Sequence, residues 1–585
     1  MSLETLPQRP RRRRVHLTPT RSLPVEFSGS RSGAGPLTFG QHNTYLWLNA
    51  TPGHVYTNLW VELPVPDTAS VAEVAEAAAA LIGRHESLRT TFVPGEPPSQ
   101  RIAAAGVQSL EVCTLGEGPW GPQDRSAVAD ALVRWLRGSA DAAWRAMRIA
   151  VAVDPDAPDR VIACAAGFVH LAVDHGALEI LTRDFAELLA APGRRPVVRP
   201  GHQPLDQLAL EATPAEQRRA EAALDYLREQ MRRLPRCLYA LPGARPTGES
   251  LAVEMSSAAA ALAVLRVAAR TRASRSGIVL AAVCAVVARR AGYRTLAFPL
   301  LSHNRFERHL VDYVGSLAQG TMATVEIGER SFDELVGHTW TAVLEASRHG
   351  RYDGTRRADP EIGHERGVRF HYDPLFNSLV AESSPGFRAG FGPPPGQIDA
   401  ALAQTTLQWR PMPRAGTPIR FTLHQIDGVL RLDAWSDDTG LVPRAELESV
   451  LRAVERLLLA AAPGDVSAAR MPARIGLEPL AGSADRILVD SSWIEVADVQ
   501  RLVDEAFAPA VASVFAAADG RPLVAHLVAT EAVRTPEQAH ARCMDVLAHH
   551  PTAITPTHYV LCAAAPPDPA DPAAWPAPLA AGSGR

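Results

Sequence analysis

The sequence contains no lysine, so all 59 of its basic residues are arginine. This absence excludes enzymes that form a lysine Schiff base and nucleotide-binding proteins that use a P-loop lysine. The GxSxG sequence of serine hydrolases is missing as well. Heavy use of arginine, alanine, glycine and proline indicates a GC-rich coding sequence of the kind found in many bacteria.

Paired cysteines and metal-binding motifs are also absent. The six cysteines are scattered and form no CxxC pair, so neither a zinc site nor a disulfide framework is expected. Cysteines of this kind fit a reducing compartment, and we expect the protein to be cytoplasmic. Because HExxH and EF-hand sequences are missing, we predict that it binds no metal.

Long apolar runs and a strong net charge are lacking too. No stretch of 18 uninterrupted apolar residues occurs, which predicts that no transmembrane helix is present. The first residues include the arginine run 11–14 but not the apolar segment of a secretory signal. A formal net charge of -4 gives no reason to expect a nucleic acid as a partner.

The composition that is present is globular. With 585 residues, 46% of them hydrophobic, the chain is long enough for roughly three or four domain-sized units. Composition and pattern predict a disordered arginine-rich leader (1–35), an N-terminal half (36–200), a linker with a long helix (201–248), a C-terminal half (249–462) and a small appendage (477–570). The proline-rich tail from residue 564 is expected to be loose.

Local patterns place the main elements. Ser70 and Glu73 have the spacing of a capping box ahead of an alanine-rich helix. The segment "RSGIVLAAVCAVVARRAG" is apolar on all sides, which predicts a buried helix that ends at Gly292. The segment "HERGVRFHYDPL" (364–375) is interpreted as a strand.

One histidine stands at a position typical of catalysis. The apolar run "VIACAAGFV" predicts a buried strand, and "ALEILTRDFAELLA" predicts the next helix. His170 follows the strand, and Asp174 comes four residues later. This histidine is either a catalytic base or a satisfied core histidine beside a turn, and the residues alone leave both interpretations open.

Several ordered segments resemble the condensation domains of nonribosomal peptide synthetases, which belong to the chloramphenicol-acetyltransferase-like superfamily. "IGRHESLRTTF" (82–92) is similar to the RHExLRTxF block of these domains, and "VHLAVDHG" (169–176) occupies the place of their HHxxxDG motif. Further similar segments are "TFGQHNTYLWL" (38–48), "LLSHNRFERHLVDYVGSLAQGT" (300–321), "FHYDP" (370–374) and "LRLDAWSDD" (430–438). The resemblance covers roughly residues 36–462.

The resemblance implies an α+β fold. Two chloramphenicol-acetyltransferase-like halves would form a V-shaped pseudodimer with a tunnel along its cleft, and a small α/β C-terminal appendage would follow. The implied reaction joins an acyl or aminoacyl thioester to a small-molecule amine or hydroxyl, which gives an amide or an ester. The phosphopantetheine arm of an acyl or peptidyl carrier protein would deliver the thioester. No tightly bound cofactor, nucleic-acid partner or membrane partner is implied, and a monomer is favoured.

The resemblance also implies roles for individual residues. His170 corresponds to the second histidine of the motif and would position or deprotonate the nucleophile. Asp174 corresponds to the motif's aspartate, for which Arg305 is the candidate partner. Asp174, Arg305 and Gly176 would support the active-site loop.

Three positions depart from the family pattern. Val169 replaces the first histidine of the motif, which usually packs and does not react. His175 replaces the glycine that follows the aspartate, and Gln319 replaces the asparagine of VGxxxN. His175 and Gln319 are candidate tunnel residues, although we favour the interpretation of His175 as a loop residue.

The appendage is similar to the small C-terminal subdomain of adenylation enzymes. The similar segments are "EVADVQRLVDEAFAPAVASVFAAADGRPLVAHLVA" (495–529) and "ITPTHYVL" (554–561). That subdomain normally carries a catalytic lysine, which this chain cannot supply, and the large adenylation core is missing too. The appendage is therefore expected to have a structural or protein-docking role and not to activate an acid with ATP.

Two other functions remain open. One is a non-catalytic condensation-like domain that docks carrier proteins or recruits a tailoring enzyme, and the altered motif and lysine-free appendage agree with it. The other is an acyltransferase that uses a soluble acyl-CoA.

Overall fold

The computed structural model describes residues 15–50, 58–138, 146–191, 201–235, 241, 244–372, 374–380, 395–414, 417–480, 486–516 and 523–585. The chain forms two compact units. Among the described residues, the first unit contains the chain up to Gln217 together with His303–Ala318. The second unit contains Arg218–Ser302 and the chain from Gln319 onward.

The first unit is built on a mixed sheet and a small antiparallel sheet. Its strands are β1 (Leu17–Ser28), β2 (Gly33–Pro36), β3 (Asn58–Leu63), β4 (Thr90–Val93), β5 (Ser99–Ile102), β6 (Ala105–Leu115), β7 (Met147–Asp154) and β8 (Ala157–Val169). The larger sheet has the order β1-β6-β7-β8-β3, in which only β6 and β7 run parallel. The smaller sheet has the order β2-β5-β4.

Helices cover both faces of the larger sheet. The helices of this unit are α1 (Phe39–Ala50), α2 (Val71–Arg84), α3 (Arg125–Gly138), α4 (His175–Leu189) and α5 (Pro204–Glu211), of which α3 covers one face of the larger sheet and α2 and α4 cover the other. On β8, Ala163 and Ala165 pack in the core formed with α3, whereas Cys164 and Phe168 pack in the core formed with α2 and α4. A strand buried on both faces has no polar side, which is why its sequence is an unbroken apolar run.

The prediction of a disordered leader is wrong from β1 onward, whereas residues 1–14 lie outside the described residues. Strand β1 pairs with β6 in antiparallel register, and Val25 packs in the core of the unit. Most of β1 is exposed, which explains its polar composition, and prolines at 19 and 24 are tolerated because β1 is an edge strand.

The second unit is built on a longer mixed sheet. Its strands are β9 (Leu251–Ser257), β10 (Thr295–Ser302), β11 (Gln319–Glu326), β12 (Leu375–Ser378), β13 (Thr406–Pro411), β14 (Ile419–Gln425) and β15 (Leu430–Ser436). The order is β11-β10-β12-β14-β15-β9-β13, and β12 runs parallel to both of its neighbours.

The helices of this part are α6 (Pro214–Arg233), which starts in the first unit, α7 (Ala258–Thr271), α8 (Arg275–Ala291), α9 (Phe332–Arg348), α10 (Asp359–Arg366), α11 (Pro395–Leu402), α12 (Arg444–Ala461) and α13 (Met471–Ile475). Helix α8 is buried along almost its whole length, as its sequence predicts. Gly292 ends it in the left-handed conformation, with φ of 80°.

The predicted strand over 364–375 is wrong. Helix α10 continues to Arg366, and Gly367 then ends it with φ of 63°. Strand β12 begins only at Leu375, and Asp373 lies outside the described residues. The apolar residues of 364–375 do not reflect a strand but tertiary packing, because Val368 lies in the core of the C-terminal appendage.

The appendage consists of β16 (Arg486–Val489), β17 (Ser492–Glu495), α14 (Val496–Phe507), β18 (Ala512–Ala516), β19 (Leu523–Val528), α15 (Pro536–Val546), β20 (His558–Cys562) and β21 (Pro578–Gly582). Its main sheet has the order β18-β19-β20-β21. The tail after residue 564 was predicted to be loose, but β21 pairs with β20 and extends this sheet. Residues 517–522 lie outside the described residues.

In the described part of the chain, no single helix has both the length and the apolar character needed to cross a membrane. Helices α7 and α8 meet these criteria only when they are joined, and they are bent by 105° relative to each other.

Candidate active site

The loop between β8 and α4 carries the predicted site residues. Strand β8 ends at Val169, His170 starts a turn, and Asp174 is the N-cap of α4. The Asp174 side chain accepts a hydrogen bond from the amide of Ala177, at 3.0 Å. The loop is therefore closed by its own capping residue, which fixes where His170 leaves the sheet.

Asp174 is 1% exposed, and its carboxylate is fully occupied. The Arg305 guanidinium binds both oxygens, with Nη1 2.8 Å from Oδ2 and Nη2 2.6 Å from Oδ1. The amides of Leu317 and Ala318 donate to Oδ2 at 2.9 and 3.1 Å. Burial alone would raise the pKa of Asp174, but Arg305 and the amide donors outweigh burial and hold the pKa below its usual value.

Arg305 is in turn fixed by the segment that carries it. Its Nη2 donates to the carbonyls of Tyr313 and Gly315 at 3.3 and 3.1 Å. A Cβ atom at Gly176 would lie only 2.9 Å from its Nη1, so glycine leaves the room that the guanidinium needs. This contact explains why the glycine of the motif stands at 176, whereas His175 is exposed.

The segment His303–Ala318 is held on the first unit at further points. Ser87 donates to the Val314 carbonyl at 2.6 Å, and the hydroxyls of Thr44 and Ser316 are 2.9 Å apart. A Cβ atom at Gly40 would lie 2.1 Å from the Ser316 carbonyl oxygen, so a larger residue would push this segment away. Asp174 and Arg305 are thus brought together as expected, at the centre of a broad contact.

His170 is partly exposed and makes no contact with the carboxylate of Asp174 within hydrogen-bond distance. Its Nδ1 is buried and has no hydrogen-bond partner among the described residues. Burial lowers the pKa of His170, and the opposing effects of backbone carbonyls and of Asp174 are weaker. The imidazole is therefore neutral near pH 7, as a general base must be.

Trp47 is a site residue that the sequence analysis missed. Its ring lies edge-on to the imidazole of His170, with the ring centres 5.9 Å apart. On α1, Gly40, Thr44 and Trp47 share one face by helical spacing, and all three contact the site or the segment that holds it. Reading 38–48 as a helix would have revealed this face.

The other predicted residues have less to do with the loop. Val169 is buried in the core of the first unit, so at this position a valine packs where the family motif has histidine. Gln319 is 1% exposed, and its amide donates to the Tyr352 carbonyl at 2.8 Å. This contact argues for a structural role of Gln319 in place of the predicted tunnel position.

The segment Arg84–Glu86, in contrast, is bonded to other parts of the first unit and supports its fold. His85 Nε2 lies 3.0 Å from Asp184 Oδ2, and Arg84 reaches the same oxygen at 3.1 Å. Glu86 accepts hydrogen bonds from the Arg31 guanidinium at 2.8 Å and from a backbone amide of α5 at 3.1 Å. His85 and Glu86 are 4% and 1% exposed and are bonded within the fold, which favours a structural role for this segment.

Across the described ranges, no group of histidine, cysteine, aspartate and glutamate side chains has the arrangement of a metal site.

Comparison with known proteins gives the fold. No family model matches the chain, and no curated protein matches its sequence. A structure of the condensation domain that mediates chain release from the enacyloxin polyketide synthase has a TM-score of 0.55 and 20% identity, and the match covers 73% of this chain and 83% of that chain.

Two further solved structures agree. The first condensation domain of the calcium-dependent antibiotic synthetase, with a substrate analogue, has a TM-score of 0.53 and 17% identity over 74% of this chain and 98% of that chain. The complex of the X-domain and OxyB from teicoplanin biosynthesis has a TM-score of 0.52 and 18% identity, and the match covers 76% of this chain and 97% of that chain. The chain therefore has the mixed α and β fold of condensation domains.

Proposed function

We propose that the protein is a condensation enzyme of natural-product biosynthesis. It would join an acyl or aminoacyl thioester, held on a carrier protein, to an amine or hydroxyl nucleophile. The observation that carries this proposal is His170, a partly exposed imidazole at the end of β8 whose pKa is lowered by burial. A neutral imidazole in this position has the protonation state of a general base at pH 7.

The proposed reaction needs one base and no metal. The nucleophile attacks the thioester carbonyl while His170 takes its proton. The tetrahedral intermediate then collapses, the C–S bond breaks, and the proton passes from His170 to the departing thiolate of the phosphopantetheine arm. The products are an amide or ester and a free carrier thiol, so the imidazole returns to its neutral form. A base of this kind contributes about a hundredfold to ten-thousandfold to the rate.

Asp174 has a positional part in this proposal. Its oxygens are occupied by Arg305 and backbone amides, so it does not orient the imidazole of His170 by a hydrogen bond. It instead fixes the loop that starts at His170. Much of the remaining rate enhancement would come from holding the two reactants together, which is sensitive to such placement.

The test is His170→Ala in the organism that encodes the protein, with secreted metabolites compared and the protein level checked by immunoblot. We expect one product to disappear and its uncondensed precursors to accumulate, because the transfer falls by about a hundredfold or more without the base. His549→Ala is the matched control, since its side chain is 68% exposed and lies in the appendage. Unchanged product in the His170 variant would refute the catalytic role.

A second function is favoured by the altered motif. Val169 and His175 depart from the family pattern, and one similar structure is a complex of an X-domain with OxyB. A non-catalytic protein that docks a carrier protein or a tailoring enzyme would explain both observations. In that case, deletion of the gene abolishes the product, whereas His170→Ala leaves it unchanged.

A further inference from the structure

The appendage is joined to the rest of the second unit through the segment that follows α10. His540 is 0% exposed, and its Nε2 donates to the His364 carbonyl at 2.8 Å. The Thr555 amide donates to the Gly367 carbonyl at 2.9 Å, and Val368 lies in the appendage core. A Cβ atom at Gly367 would lie 1.9 Å from Thr555 Oγ1, so the two surfaces are in close contact.

Arg366 ties three parts of the chain together at this place. It is 9% exposed, and its Nη1 donates to the carbonyls of Met231 and Leu234, each at 2.6 Å. Its Nη2 donates to the Asp490 carbonyl at 2.5 Å. One buried guanidinium thus binds the end of α6 and the β16–β17 turn of the appendage, and its loss would leave these carbonyls without their donor.

The β16–β17 turn is a two-residue hairpin loop, because Val489 pairs with Ser492 on either side of it. Asp490 and Ser491 have φ of 45° and 66°, in the left-handed region that favours glycine. Arg585 also binds this turn, with Nη1 3.1 Å from the Asp490 carboxylate. Positive φ at both central residues is usual for such a loop, so the evidence for a fixed contact is the binding of Asp490 by two arginines.

The other end of α10 is fixed to the start of β11. Arg357 Nε donates to Asp359 at 2.8 Å, and the Tyr372 hydroxyl also donates to this carboxylate. Arg357 reaches the Tyr352 hydroxyl at 3.5 Å. The Tyr352 hydroxyl donates to the Gly320 carbonyl at 2.7 Å, and the Tyr352 carbonyl accepts the Gln319 amide described above.

We propose that the appendage is a permanent brace which, through α10, positions the start of β11 at Gln319. Leu317 and Ala318, the residues directly before β11, supply the amides that bind Asp174. Arg366 is in this view a positioning residue for the loop of His170. The brace itself is independent of the proposed function, whereas its effect on turnover rests on that function.

The test is hydrogen–deuterium exchange on the full-length protein with Arg366→Met. We expect at least tenfold faster exchange in β16–β17, and also in peptides that contain Gln319, Gly320 and Tyr352. Arg585→Met is the milder variant for the case that the first does not fold, and it should change the same peptides by a smaller factor. Glu505→Gln is the matched control, because this exposed carboxylate lies in the appendage and is bonded to the side chains of His549 and His550.

Tyr352→Phe tests whether the stabilising effect passes from the appendage to β11 and not in the opposite direction. Without the hydroxyl, exchange should rise at Gly320, whereas β16–β17 should keep its protection. If Arg366→Met and Arg585→Met speed exchange only inside the appendage and leave Gln319 and Tyr352 unchanged, the brace is refuted and the appendage is an independent module.

The effect on turnover is tested once the product is known. Arg366→Met should lower kcat and leave KM nearly unchanged, because the variant misplaces the loop without removing a substrate contact. If His170→Ala has no effect on the product, the proposed function fails, but the exchange result still decides whether the brace exists. An unchanged kcat in Arg366→Met, with His170→Ala inactive, would refute the positioning role alone.

Discussion

Two buried aspartates of α4 can be compared directly. Asp174 caps the first turn of the helix and Asp184 lies inside it, and each has an arginine and a histidine nearby. Asp184 is bonded to His85, which is 4% exposed. Asp174 is instead saturated by Arg305 and amides, and His170 keeps a partly exposed ring that the carboxylate does not bind.

The difference separates a structural histidine from a candidate base. The His85 ring is 4% exposed, its Nε2 is bonded to Asp184 and its Nδ1 is buried, so a substrate cannot reach it and His85 has a structural role. His170 has no such bond, and burial keeps it neutral. The sequence places an acid, a base and an arginine near each other in both regions, and only the pattern of hydrogen bonds distinguishes them.

The largest expected effect that tests this comparison is that of Asp174→Ala. The substitution removes the carboxylate that binds the Arg305 guanidinium, which is 8% exposed, and three backbone amides. We expect the free energy of unfolding to fall by about 3–5 kcal/mol, as when one partner of a buried ion pair is removed. Urea unfolding followed by tryptophan fluorescence measures this change.

Asp312→Ala is the control on the same segment. Its carboxylate is 63% exposed and pairs with Arg183 at 3.0 Å, so its loss should change the unfolding free energy by no more than about 1 kcal/mol. Equal losses in the two variants would contradict the view that the Asp174 contact is the centre of this region.

The sequence predicted part of this region well. The unbroken apolar run predicted β8, and helical spacing predicted α4. The family resemblance predicted the pairing of Asp174 with Arg305, and the structure contains all three features. The same reasoning missed Trp47 because the segment 38–48 was not recognised as a helix, and it proposed Gln319 as a tunnel residue because the partner of a lone amide cannot be read from residue types. Long-range contacts decided both.

The failures elsewhere have the same origin. The polar composition of β1 predicted disorder, but strand pairing with β6 depends on the backbone and tolerates exposed polar side chains. The alternation of Val368 and Phe370 predicted a strand, but these residues pack against the appendage, whose position no local pattern reveals.

A smaller effect is expected for Asp184→Ala. Its partner Arg183 is 51% exposed and can be hydrated when the carboxylate is lost, whereas Arg84, which is 16% exposed, and the buried ring of His85 lose this acceptor. We expect a loss of about 1–3 kcal/mol in unfolding free energy, measured by urea unfolding. Transfer activity of the folded variant should stay near that of the native protein. A variant that folds normally but has lost activity would show that this region is catalytic and would remove the contrast with Asp174.

The last effect that bears on this comparison is the pH dependence of stability between pH 7 and 5. Both aspartates have lowered pKa values, so they remain ionised in this range and their stabilisation is lost only in stronger acid, as the pH falls through their folded pKa values. Burial lowers the pKa of His170 and of His85, although Asp184 opposes this effect on His85. Below about pH 6.5 the unfolded chain therefore takes up protons that the folded histidines refuse.

Stability should consequently decline as the pH falls, by at most about 1.4 kcal/mol per pH unit for each imidazole. His170→Gln and His85→Gln should each flatten this decline in urea unfolding at pH 7, 6 and 5. A steeper decline in His85→Gln would mean that His85 is protonated in the native protein and that Asp184 outweighs its burial. The two aspartates would then differ in kind, with a buried ion pair at Asp184 and a neutral histidine beside Asp174, and only the latter could supply a base.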